Sequence, residues 1–213
     1  MIFQEFLIDS MVFAEGIAAL TSIFLYKKTK NTHYQFFSYY LIFIFISEML
    51  SRFGYLPFPK IPYYNNFVIP IEFIMLYWLY AWKSLNNKKL FWIFASLYLL
   101  SFIPNELYFT KNKVIYSFNY TFGSFLLMFL VIMEYYKQIN SDNILNFSKN
   151  RMFYINLGVT LFYIGTLPFW AFYFPLLEHM EIYEIYRDYF WISGIIMYLL
   201  FAISFIWGKR NYS

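Results

Sequence analysis

Seven apolar runs, at roughly residues 4–26, 35–55, 65–83, 89–105, 114–136, 152–174 and 186–207, leave this chain few ways to fold. Each approaches the ~20 residues that a helix needs to cross a ~30 Å hydrocarbon layer, the fourth being the shortest. Inside lipid every backbone N–H and C=O must be paired within the chain, so only helices and closed barrels are open to it. Barrel strands alternate in polarity over ~10 residues. Stretches such as FIFISEML and SFLLMFLVIMEYY do not. The runs therefore predict an all-α, polytopic membrane protein: one seven-transmembrane-helix bundle over residues 1–213, with the lipid bilayer as its first partner.

Composition and charge placement agree. Hydrophobic residues make up 61% of the chain and charged ones 13%, against about a quarter charged in soluble domains. The net charge of +4 does not signal nucleic acid, because the basic residues cluster at the ends of apolar runs and form no stripe. On one side of the expected bundle lie eleven of the 16 basic residues, among them Lys27, Lys83, Lys88, Lys137, Lys149 and Arg151; the other side has five. The positive-inside rule then sets the N-terminus outside and the C-terminus in the cytoplasm. The first run has acidic residues ahead of its core and no small-residue cleavage site, so it is expected to stay as a helix.

Several chemistries are excluded. There is no cysteine, and the two histidines, His33 and His179, lie in connectors, which removes thiolate and histidine-rich metal centres. The last run has no lysine for a retinal Schiff base, and no other cofactor is indicated. No HExxH, glycine-rich phosphate loop or Ser/His pair at bilayer depth appears, so an enzyme is the weaker expectation.

What remains is a set of carboxylates inside the apolar runs. Glu48 and Glu72 each lie about seven residues from the connector that contains Pro57, Pro59 and Pro62. At 1.5 Å per residue both sit ~10 Å below the same, outer, membrane surface. Glu15 lies within the first run, beside Gly16, Ala18 and Ala19, whose small size lets a neighbouring backbone approach; it serves either as a bundle hydrogen-bond donor or as a ligand-facing group. Arg52, one helical turn beyond Glu48, either pairs with it or gates and tunes it. Pro70, two residues before Glu72, can open the helix ladder, and Pro168 breaks or bends the sixth run. Asn119, Tyr116 and Tyr120 fall near the depth of the two glutamates and complete a candidate ligand-binding set of Glu15, Glu48, Arg52, Glu72, Tyr116, Asn119 and Tyr120. Glu134, three residues before Lys137, reads as a surface pair, and the inner half of the bundle as nearly uncharged.

In ILNFSKNRMFYINLGVTLFYIGTLPFW, residues 144–170, the positions Leu145, Ser148, Lys149, Gly158, Tyr163, Gly165 and Pro168, together with Glu48 and Glu72, carry a resemblance. The stretch resembles uncharacterised small seven-helix bacterial membrane proteins of a Gram-negative lineage. That resemblance implies a place in the bacterial cytoplasmic (inner) membrane and, for some members, a role as a sensory module beside signalling proteins. It supplies no established activity. Three functions stay open: a sensor or small-ligand or cation-binding module with an outward-facing polar pocket, acting through a separate membrane or cytoplasmic signalling partner; a small proton- or cation-coupled secondary transporter; or a structural subunit. The tail after Trp207 has six residues, so any output is expected to come from that partner.

Overall fold

Proline-free apolar runs carry the first two long helices of the computed structural model, which describes residues 2–56, 58–107, 118–141 and 144–209. They are α1 (Ile2–Phe24) and α3 (Tyr34–Arg52), with the short α2 (Tyr26–Thr29) between them. Gly54, at φ 73°, ends α3. The left-handed turn lets Tyr55 N–H reach Leu50 O at 2.9 Å and Gly54 N–H reach Ser51 O, which satisfies carbonyls that the helix end would otherwise orphan.

Residues 60–84 then form one rod: α4 (Lys60–Tyr63), a π turn at Tyr64–Val68, α5 (Ile69–Tyr77) and a second π turn at Trp78–Ser84. Pro70 does not break this rod. It has no N–H to offer, and the turn before it widens so that Ile69 N–H returns to Tyr64 O. The same device precedes Pro168. There α9 (Arg151–Val159) passes through a π turn at Thr160–Ile164, with Gly165 N–H on Thr160 O at 3.0 Å, into α10 (Leu167–Ala171). The expected break at Pro168 is thus a widened turn. Pro104 behaves differently: α6 (Lys88–Leu100) stops at Ser101, three residues before it, and α7 (Phe102–Leu107) restarts.

The remaining helices are α8 (Phe118–Ile139), α11 (Tyr173–Leu176) and α12 (Met180–Trp207), with a 3-10 turn at Ile144–Lys149. α12 begins at Met180, before the expected 186, because the acidic stretch ahead of the apolar run is itself helical.

All elements among the described residues are helical. Four spans, Phe3–Phe24, Phe118–Ile139, Arg151–Ala171 and Met180–Trp207, are long and apolar enough to cross a membrane. The outside of the bundle carries many large apolar side chains, among them Phe24, 80% exposed, and Phe13, 72% exposed. Such a surface is stable against lipid and not against water, so the chain is a polytopic membrane protein.

α12 is the packing axis, lying along α1 on one side and α9 on another, while α1 also lies along α3. Gly158 permits the α9–α12 approach, since a Cβ there would stand 3.3 Å from both Cα and O of Met197. Gly16 receives the ring of Phe45, a side chain in place of the expected backbone. The core is dominated by aromatic residues. Phe37, Phe73, Tyr77, Tyr163 and Phe201 are fully buried within it.

Candidate functional site

Three carboxyl groups from three helices line one cavity of about 400 Å³: Glu15 of α1, Glu48 of α3 and Glu72 of α5. Each is positioned by a different device. Glu72, 9% exposed, accepts a hydrogen bond from the buried Tyr40 hydroxyl at 2.8 Å. Glu48, half-buried, accepts one from the Tyr64 hydroxyl, which the π turn Tyr64–Val68 brings to the cavity wall. Glu15, 6% exposed, has the Tyr198 hydroxyl beside it, and its Oε2 has no partner among the described residues.

The walls between the acids are aromatic: Tyr64, Tyr120, Phe162, Trp170, Trp191 and Tyr198, with Lys60 also lining the cavity. Below the acids the core closes. Phe37 packs on Tyr40 at 5.6 Å and on Phe201 at 5.1 Å, and Phe73 packs on Tyr163 at 5.6 Å. Among the described residues no three His, Cys, Asp or Glu side chains converge tightly enough to hold a metal ion. The acids are spread around the wall of the cavity.

The other expected site residues part company. Tyr120 lines the cavity. Its neighbour Asn119, 1% exposed, is buried in α8 and is not part of the wall. Tyr116 lies outside the described residues. Arg52 does not pair with Glu48: it forms an ion pair with Asp9 of α1, both side chains substantially exposed. Four-residue spacing puts Arg52 and Glu48 on one face, but α1 packed along α3 offers Arg52 a carboxylate outside the cavity, while Tyr64 takes Glu48.

Two residues were misread from the sequence. Glu134 is not at the surface. It is fully buried, accepting from Ser84 Oγ at 2.6 Å and Gln138 Nε2 at 2.8 Å, with Lys137 Nζ at 3.9 Å. The end of the bundle away from the acidic cavity, expected from the sequence to be nearly uncharged, therefore buries a carboxyl group. Arg151, read only as one of the orienting cations, is 1% exposed beneath the end of α12. Its Nε donates to Ser204 O at 3.2 Å and its Nη2 to Gly208 O at 3.0 Å. Asn150, whose side chain caps Met152 N–H at 3.0 Å, marks the helix start in the sequence. Nothing local says that the next residue turns inward, because α12 supplies the acceptors.

No protein-family model, curated protein or solved structure matches this chain.

Proposed function

We propose that this protein is a membrane-embedded binding module for a small cation, a single-domain seven-helix bundle of the bacterial inner membrane that opens its acidic cavity outward and acts through a separate partner. The observation that carries the reading is the meeting of Glu15, Glu48 and Glu72 on one aromatic-walled cavity. Three carboxyl groups in one cavity repel when ionised, and a bound cation or proton relieves that repulsion. Spread acids with tyrosine and tryptophan faces between them suit an ammonium-type organic cation better than a small metal ion, since the rings contribute cation–π attraction. A volume of about 400 Å³ is also that of a small-molecule site. The orientation rests on the charge bias, and Lys83 and Lys88 standing over Trp78 and Trp82 at 5.2 and 5.3 Å support an interfacial position for that end of the rod.

The test is thermal unfolding of the detergent-purified protein with tetramethylammonium, choline or sodium chloride at matched ionic strength, in the parent and in Glu72→Gln and Glu15→Gln. An ammonium-specific stabilisation that the substitutions abolish is expected. An identical response in parent and variants removes the glutamates from any cation site.

A proton- or cation-coupled transporter is the second reading. It is favoured by the buried polar groups of the inner half, Glu134 and an Asn156 whose amide O and N both lack partners among the described residues. The aromatic layer under the glutamates stands against it. Ammonium-driven uptake into proteoliposomes would decide for transport.

A further inference from the structure

A second cavity, of about 460 Å³, lies at the other end of α3, where its wall is formed by the first turn of that helix, His33, Lys83 and Arg151. Fourteen residues of α3 separate Tyr34 from Glu48, so the two cavities stand ~20 Å apart along the helix. Their chemistry is opposite. The first is acidic and the second is basic.

Arg151 sets the character of this site. Two of its nitrogens hold Ser204 O and Gly208 O, and the guanidinium lies over the Tyr34 ring at 4.7 Å, but Nη1 has no partner among the described residues. A guanidinium that lines a cavity, is 1% exposed and keeps one donor unused among the described residues can take an anion as a further partner. His33 Nε2 is likewise buried and has no partner among the described residues. The positive end of the dipole of the 19-residue α3 points at the same space. Lys83, held over Trp78 and Trp82, adds a second fixed cation. Glu134, bonded to the neighbouring Ser84, has its own cation in Lys137, with Nζ at 3.9 Å. Burial first, and then the charges of Lys83, Arg151 and Lys137, hold the His33 imidazole down to about 4.

We infer that this basic cavity binds a phosphate group, with Lys83 and Arg151 as the cations that hold it. A guanidinium and an ammonium on one cavity wall suit the charge and the several acceptor oxygens of phosphate. The phosphate can come from an anionic lipid headgroup, since Trp78 and Trp82 mark a membrane interface, or from a soluble phosphate; the shared chemistry is the same. The site is independent of the acidic cavity.

The experiment titrates detergent-purified full-length protein with inorganic phosphate against chloride at equal ionic strength. A parallel arm compares nanodiscs of phosphatidylglycerol with nanodiscs of phosphatidylcholine, and thermal unfolding is read in both. Because Arg151 also ties down the end of α12, Lys83→Gln is the main variant and Lys27→Gln the control for general surface charge. Stabilisation by the phosphate-bearing probe should weaken about tenfold in apparent affinity in Lys83→Gln and stay unchanged in Lys27→Gln. A response to phosphatidylglycerol alone assigns a lipid headgroup, and a response to inorganic phosphate assigns a soluble ligand. No response to either probe, or equal weakening by the two substitutions, overturns the inference.

Discussion

Removing one hydroxyl tests how Glu72 is held at the wall of the acidic cavity. Tyr40 donates to Glu72 at 2.8 Å, and the two residues are 4% and 9% exposed, so water is poorly placed to replace the lost donor. Interhelical side-chain hydrogen bonds in membranes average about 0.6 kcal/mol and reach about 1.7. A short, buried bond to a carboxyl group belongs toward the upper end, so Tyr40→Phe should cost about 1 kcal/mol. In a Glu72→Met background the sign changes. The Tyr40 hydroxyl then has no carboxyl to bond, and deleting it is neutral or stabilising. The four proteins of the cycle should show a coupling of about 1 kcal/mol or more, measured by denaturant unfolding in mixed micelles. Tyr163, beside the same carboxyl, is retained in all four. An equal cost of Tyr40→Phe in both backgrounds would refute the bond that holds Glu72 at the cavity wall.

The two remaining predictions concern packing and pH. Gly158→Val should destabilise the α9–α12 contact by about 1–3 kcal/mol, because even its Cβ meets Met197 backbone at 3.3 Å; an unchanged unfolding midpoint would show that the helices do not touch there. His33 lies 4.1 Å from the Tyr34 ring, tilted against it, and burial, with the charges of Lys83, Arg151 and Lys137, lowers its pKa from 6.5 to about 4. Between those values the unfolded chain takes up a proton that the folded one refuses. The neutral imidazole's contribution is present above about 6.5 and is lost as pH falls toward about 4. The parent should therefore lose more stability than His33→Gln across that window, and parallel pH profiles would contradict the burial of the imidazole among cations.

The apolar runs alone required helices, because lipid offers the backbone no other partner, and they exposed Glu15, Glu48 and Glu72 as acids inside those helices. The common depth of Glu48 and Glu72 could be counted along the chain. Which way each side chain points could not. In a water-soluble helix, polar and apolar faces reveal the rotation. Here the lipid face and the core face are both apolar, with Phe13 exposed and Phe37 buried, so the pattern is nearly blind to rotation. Only the packing of α1 along α3 gave Arg52 to Asp9 and left Glu48 to Tyr64. Only the end of α12 turned Arg151 inward, and only the junction of Ser84 with α8 buried Glu134. Local sequence determined the helices and the charges within them. Tertiary packing decided which charges share a cavity, since a buried charge is held by acceptors and donors that distant segments bring to it.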